Sequence, residues 1–243
     1  MNLKGKTIIL TGGKRVGMTV ARTLGNKGAH VVLTYNHSQK EAQQSVHEIE
    51  SAGGKALAIK ADLTKSKDMV SVIDSTLSNF GHLDGLVHMA STFKRTPFNE
   101  LKESDWNEQI ENNLKTAYLC SKAASDVMLI SGGGKIVFIT DWAIHRPYKN
   151  YLPYLVAKGG VYTLALVLAK ELAPSIQVNC VAPGPVLFPD DYSQEIKQRE
   201  IEKTLLKREG SPQDVANAIL FLLENADFTT GSCVYVDGGK LLY

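Results

Sequence analysis

Short runs of apolar, β-branched residues alternate along the chain with longer amphipathic stretches. The runs at residues 7–10, 30–34, 56–60, 85–89, 135–140, 177–181 and 233–236 have the length and composition of buried strands. Between them, residues 16–27, 39–51, 66–79, 104–128, 154–172 and 212–223 carry apolar positions at the three- and four-residue spacing of a helix face. The charged stretch 190–208, before the last strand, also reads as helical. Near-continuous apolar strands separated by helices predict a parallel sheet covered on both faces. The expected fold class is therefore α/β: one doubly wound, seven-stranded domain over residues 1–243. No repeat, linker or low-complexity segment interrupts it.

Composition adds little and excludes some functions. With 44% hydrophobic and 21% charged residues, the chain reads as an ordinary soluble globular protein. A net charge of +2 provides no electrostatic footprint for nucleic acid or a membrane surface. Cys120, Cys180 and Cys233 are far apart in sequence and match no metal-ligand spacing, so no metal site is expected. Unpaired thiols of this kind suit a reducing compartment. The N-terminus runs directly into the first strand and no apolar run reaches the length of a bilayer span, so a cytoplasmic location is expected.

The first candidate chemistry lies between the first strand and the first helix, in Thr11-Gly12-Gly13-Lys14-Arg15-Val16-Gly17. Glycines there let the backbone approach a pyrophosphate, and the following helix N-terminus attracts its charge. With this turn the sheet reads as a Rossmann-type nucleotide fold. No Gly-Lys-Ser/Thr closes the turn, which excludes a Walker loop. Sites for NAD usually carry an acid after the second strand, but here that strand runs out through Thr34-Tyr35-Asn36-His37-Ser38. Lys14 and Arg15 instead supply positive charge suited to a 2′-phosphate, so NADPH is the expected cofactor. Gly12, Lys14, Arg15, Val16, Asn36, His37 and Ser38 are its candidate ligands on this side.

The second candidate is Tyr154-Leu-Val-Ala-Lys158. Residues four apart share a helix face, which places the phenol beside the ammonium group. A neighbouring cation favours phenolate and would lower the tyrosine pKa from its usual ~10 towards neutrality. Asp141 lies thirteen residues upstream.

Taken in order, Thr11-Gly12, Asp62, Asn113, Tyr154-x-x-x-Lys158, Pro183-Gly184 and Val236-Asp237-Gly238-Gly239 resemble the short-chain dehydrogenase/reductase family over essentially the whole chain. The resemblance implies that Tyr154 donates the proton. It implies that Lys158 holds the nicotinamide ribose and that Asn113 organises a water-linked proton path. Asp62, with Leu63 beside it, would meet the adenine; Pro183, Gly184 and Val186 would border the nicotinamide. It also implies a homotetramer built through the helices at 104–128 and 154–172. Two departures stand out. The glycine loop is one residue shorter than the family's Thr-Gly-x-x-x-Gly-x-Gly, and its Lys-Arg-Val-Gly resembles the Lys-Arg-Leu-Gly of pteridine reductases. The family's Asn-Asn-Ala-Gly is here His88-Met89-Ala90-Ser91, with His88 the candidate replacement for one lost asparagine.

Most of the family has serine where Asp141 stands. A serine hydroxyl stabilises the alkoxide formed from a ketone. A carboxylate ~4 Å away at an effective dielectric of ~20 would oppose it by about 4 kcal/mol. Protonation of a ring nitrogen meets no such obstacle, and an amino-pyrimidine offers N–H donors to a carboxylate. Asp141 before Tyr154 and Lys158 resembles the pteridine reductase subgroup. So does Ala90-Ser91-Thr92-Phe93, in which Ala90 and Ser91 would contact the cofactor and Phe93 would stack on the pterin. The leading expectation is an NADPH-dependent reductase of a C=N bond in a pterin or related cyclic imine, with Asp141, Tyr154, Lys158 and Asn113 as catalytic residues. Phe93, Asp141 and Tyr154 would contact the substrate. Trp142, Tyr192 and the 187–191 segment border the expected pocket without an assigned role. Three alternatives stay open: Thr140 rather than Asp141 facing the site, a carbonyl reductase of the 3-oxoacyl carrier-protein type, and a non-catalytic NADP-binding regulator.

Overall fold

Alternate strand residues feed two separate cores in a computed structural model that describes residues 1–188 and 192–243. Ile9, Val32, Leu86, Ile136, Phe138, Val178 and Cys180 face one side. Ile8, Leu10, Val31, Leu33, Val87, Val137 and Val181 face the other. This two-residue alternation follows from the pleat, and both faces are apolar because both are covered. Each fully buried Ile, Leu or Phe on these faces stabilises the fold by roughly 1.5–3 kcal/mol.

The strands are β1 (Thr7–Thr11), β2 (His30–Tyr35), β3 (Lys55–Lys60), β4 (Gly85–His88), β5 (Gly134–Ile139), β6 (Ile176–Pro183) and β7 (Cys233–Val236). They form one parallel sheet in the order β3-β2-β1-β4-β5-β6-β7. Helices α1 (Val16–Asn26), α2 (Gln39–Ser51) and α8 (Pro212–Glu224) cover one face; α3 (Ser66–Phe80), α5 (Thr116–Ile130) and α6 (Leu152–Glu171) cover the other. The α/β expectation, with seven parallel strands and helices on both faces, holds. The strand order reverses between β1 and β4, so the chain leaves their carboxyl ends towards opposite faces and opens a crevice there.

Two predicted helices differ from expectation. The stretch 104–128 is not one helix: α4 (Glu103–Gln109) passes through a π-helical turn, Ile110–Lys115, into α5. The cause is local, since the Asn113 side-chain Nδ2 donates to the Gln109 carbonyl at 3.0 Å, the acceptor that an α-helical Asn113 amide would use. The stretch 190–208 yields only α7 (Gln194–Glu202), capped by Ser193 Oγ on the Ile196 N–H at 3.3 Å. Positions 190 and 191 lie outside the described residues. Helix α6 is long and apolar enough to cross a bilayer by composition, but it packs on the sheet as a core helix and carries two buried polar side chains, Tyr154 and Lys158.

Candidate active site

Helix α6 starts beside the β5 exit with Pro153 in its first turn, where the missing N–H removes no intrahelical bond. Its buried face then presents Tyr154 and Lys158 one turn apart, 6% and 3% exposed. Asp141 follows β5 and caps the short 3-10 turn Trp142–Ile144. One carboxylate oxygen, Oδ1, accepts from the Ala143 N–H at 2.8 Å, and Oδ2 accepts from the Tyr154 hydroxyl at 2.8 Å. The Tyr148 phenol also lies near this carboxylate; burial, and then the carboxylate's charge, hold it above its usual pKa. Thr140 points the other way: its hydroxyl donates to the Val181 carbonyl at 3.4 Å. Asp141, not Thr140, meets the Tyr154 hydroxyl.

The electrostatics of this cluster depart from the expected lowering of the tyrosine pKa. Burial, reinforced by the Asp141 charge, holds the Tyr154 phenol well above its usual value. Burial also pushes Asp141 up, despite the Ala143 and Tyr154 donors and the Lys158 charge. Lys158 is brought down to about 8 by burial, against the opposing pull of Asp141. Its Nζ donates to the Ile139 carbonyl at 2.9 Å and stands 5.9 Å from the Tyr154 ring centroid. The phenol is therefore governed by burial and by its carboxylate neighbour rather than by the lysine. The proton sits on the tyrosine oxygen and is shared towards Asp141.

An aromatic wall flanks the pair. Phe93 stacks on Tyr151 with centroids 4.4 Å apart and meets Tyr154 edge-on at 4.9 Å. Tyr148 meets Tyr151 edge-on at 5.2 Å. Phe93 is 44% exposed, so its ring is accessible to a flat partner beside the Tyr154 hydroxyl. Tyr148 and Tyr151 were not singled out in the sequence, although a tyrosine at every third position, 148, 151 and 154, was visible there.

Behind the wall, Ser91 Oγ donates to Asn113 Oδ1 at 2.6 Å. Asn113 Nδ2 reaches the carbonyls of Gln109 (3.0 Å) and Thr92 (3.2 Å). Asn113 is thus held in the π-turn against the segment after β4. His88 is buried and bridges Thr11 Oγ1 at 3.0 Å and Thr116 Oγ1 at 3.4 Å. Thr11 Oγ1 accepts from the Met89 and Ala90 N–H groups at 3.0 Å each, so its own proton goes to His88 Nδ1. Thr116 gives its proton to the Asn112 carbonyl at 2.9 Å, leaving its oxygen to accept from Nε2–H. A neutral imidazole satisfies every partner, in keeping with burial lowering its pKa to about 3. His88 thereby ties β1, β4 and α5 together at the crevice floor.

The glycine turn is shaped for close approach. Gly12 has φ +78°, and a Cβ there would lie 2.9 Å from the Ala90 nitrogen; a Cβ at Gly17 would collide with the Gly12 carbonyl oxygen. Helix α1 begins at Val16 with no side-chain cap and no acid in its first turn. A helix N-terminus without a neighbouring carboxylate fits a pyrophosphate through its dipole. Lys14 forms an ion pair at 3.4 Å with Glu41, in the first turn of α2. Arg15, with φ +56°, extends away from that point and donates to the carbonyls of Leu187 and Phe188 at 3.1 and 2.8 Å. The structure thus separates the two cations that the sequence grouped. Asn36 and His37 are exposed, and Ser38 leads into α2. At the third strand's exit, Asp62 accepts from Thr64 and pairs with Lys65 at 2.9 Å, which brings its carboxyl down to about 2; Leu63 is buried beside it. Pro183 ends β6, the Gly184 N–H donates to the Val236 carbonyl at 2.9 Å, and Val186 is buried in the core under α8.

Comparison with known proteins agrees with this arrangement. The model of the family described as Enoyl-(Acyl carrier protein) reductase matches residues 13–240. The 3-oxoacyl-[acyl-carrier-protein] reductase FabG of Staphylococcus epidermidis is 32% identical, over 98% of this chain and 99% of that protein. Glucose 1-dehydrogenase 2 of Bacillus subtilis is 31% identical, over 100% and 97%. A short-chain type dehydrogenase/reductase from Mycobacterium ulcerans superposes with a TM-score of 0.94 at 28% identity, covering 100% of this chain and 92% of that one. A dehydrogenase/reductase from Sinorhizobium meliloti 1021 superposes with a TM-score of 0.92 at 32% identity, covering 98% and 96%. With its sheet order, its Tyr154–Lys158 pair and its glycine turn, this chain belongs to the short-chain dehydrogenase/reductase family of oxidoreductases.

Proposed function

We propose that the protein reduces a C=N bond of a pterin or a related cyclic imine at the expense of NADPH, with Tyr154 as the proton donor. The observation that carries this reading is the 2.8 Å hydrogen bond from the Tyr154 hydroxyl to the Asp141 carboxylate. NADPH, when bound, supplies the hydride. Tyr154 holds the proton destined for the substrate nitrogen, and Asp141 holds Tyr154 in place. A carboxylate has about four lone-pair sites, so Asp141 retains capacity for an N–H of an amino-pyrimidine ring. The exposed face of Phe93 offers a stacking surface for that ring. Gly12 and the α1 N-terminus suit the pyrophosphate, and Lys14 suits the 2′-phosphate once drawn from Glu41. The same carboxylate disfavours a ketone, since an alkoxide forming within a few ångströms meets like charge.

A second reading has support of its own. The 32% identity to a 3-oxoacyl-[acyl-carrier-protein] reductase over nearly the whole chain favours a carbonyl substrate of that class. Under that reading the raised Asp141 pKa would have to keep the group protonated, as a donor to the developing alkoxide. Steady-state turnover of dihydrobiopterin and dihydrofolate, set against acetoacetyl thioester, separates the two. Turnover of either pterin at a kcat/KM well above that for the thioester is expected. Brisk thioester reduction without pterin turnover would sink the first reading, and tight NADPH binding without turnover of any of them would mark the chain as a regulator.

A further inference from the structure

Strands β6 and β7 run side by side in register, and Cys180 and Cys233 are direct partners across them. Neighbouring strands stand about 4.8 Å apart, and in-register parallel partners project to the same face. That spacing falls within the ~4.4–6.8 Å between Cα atoms that a disulfide spans. Cys180 belongs to the buried cluster against which Cys233 packs. Cys233 Sγ lies 4.0 Å from Thr140 Oγ1. Cys180 is 1% exposed, whereas Cys233 is half-buried on the last strand of the sheet. One sulfur is thus reachable and the other waits directly behind it.

We infer that Cys180 and Cys233 form a dithiol modification site for small-molecule disulfides, closing into an intrachain disulfide through first attack by Cys233. The more accessible member, Cys233, attacks one sulfur of the small disulfide as its thiolate, forming a mixed disulfide on Cys233 and releasing one thiolate. Cys180 then loses its proton and attacks the Cys233 sulfur, forming the Cys180–Cys233 bond and releasing the second thiolate. Two protein thiols are oxidised, one small disulfide is reduced to two thiols, and the protons pass to the leaving thiolates. The order of attack follows from exposure: Cys180 is 1% exposed and Cys233 is half-buried, so a small disulfide meets Cys233 first. The site is one residue from Asp141 through Thr140, and it is independent of which substrate the enzyme reduces. Cys120, buried in the core with its thiol pushed up to about 12, serves as an internal control.

The test is exposure of the full-length protein to oxidised glutathione, followed by intact mass and peptide mapping. The wild type should lose two hydrogens and link Cys180 to Cys233. Cys180→Ser, or Cys180→Ala if serine is poorly tolerated in the core, should stop at one glutathionyl group on Cys233. Cys233→Ser should react at least ~tenfold more slowly, since the remaining thiols are buried. Phenylarsine oxide should add once per wild-type chain and not to either single variant. The inference fails if the mixed disulfide forms on Cys180 or Cys120. It fails equally if the folded wild type keeps all its thiols under conditions that oxidise the urea-unfolded chain.

Discussion

The two ends of the crevice hold their charges in opposite ways. At the proton end, Tyr154 and Lys158 are buried and Asp141 is half-buried, and each is tied to the backbone or to another member of the cluster. At the phosphate end, Lys14 is exposed, pairs loosely with Glu41 at 3.4 Å, and Arg15 reaches across the crevice to two carbonyls. A buried charge must be satisfied by the protein itself, and its pKa moves when it is not. An exposed ion pair contributes little and exchanges readily for a ligand's charge. The proton end is therefore pre-organised before any ligand arrives. The phosphate end is organised by whatever binds there.

Substitutions can break this contrast, and the proton end should respond most. Tyr154→Phe removes the proton donor but little volume, and kcat should fall by ~10²–10⁴-fold while NADPH binding, measured by fluorescence titration, stays near wild type. A kcat within threefold of wild type would remove Tyr154 from its assigned role. Asp141→Ser comes next. It should lower pterin turnover by ~10²-fold, about 2.7 kcal/mol of barrier, and leave ketone turnover unchanged or raised. Equal losses on both substrates would mean that Asp141 only positions Tyr154.

The pH profile sharpens the same comparison. Lys158, with a pKa of about 8, is charged below that value and neutral above it. Loss of the cation removes support for the phenolate left on Tyr154, so kcat/KM should fall as pH rises through about 8, approaching tenfold per unit. A profile flat to pH 10 would contradict this. The phosphate end should yield smaller effects. Lys14→Ala should raise KM for NADPH by ~tenfold, with a salt dependence that the wild type shows and the variant lacks. Glu41→Gln should lower that KM, and unchanged KM in both variants would place the 2′-phosphate elsewhere.

The smallest effect on rate belongs to His88, which sits between the two ends. Its folded pKa of about 3 is below the unfolded 6.5, so the unfolded chain binds the proton first on acidification. Stability from this group is present above pH 6.5 and is lost as pH falls towards 3. Thermal unfolding of His88→Asn should lose less of its midpoint than the wild type between pH 7 and 4.5, at nearly unchanged activity near neutrality. Identical slopes would mean that the imidazole is protonated in the folded state at no penalty.

The parts legible in the sequence were those set by local periodicity. Apolar runs located all seven strands, and the spacing of Tyr154 and Lys158 placed both on one helix face. The π-turn at Asn113 was not legible, because a single side chain taking the Gln109 carbonyl leaves the apolar spacing intact. Nor was the division of labour between Lys14 and Arg15, adjacent in sequence but sent apart by the positive φ at Arg15. That conformation, worth about 1–3 kcal/mol of strain in a non-glycine residue, arises where the glycine loop is one residue short. Tyr148 escaped notice because the carboxylate that it lies near, Asp141, is on a different segment.

By itself, the amino-acid sequence determined the α/β architecture, and it marked the candidate nucleotide turn and the candidate proton donor. Each depends on residue type and short-range spacing, which hydrophobic periodicity and helix geometry translate directly. The tertiary structure alone decided that Asp141 rather than Thr140 meets the phenol, and that Lys158 bonds a backbone carbonyl rather than the tyrosine oxygen. It also decided that Cys180 and Cys233 lie together. Those outcomes depend on which strands are neighbours and which way a side chain faces at a strand exit. Burial then sets the pKa values, and burial belongs to the assembled fold rather than to any segment of it.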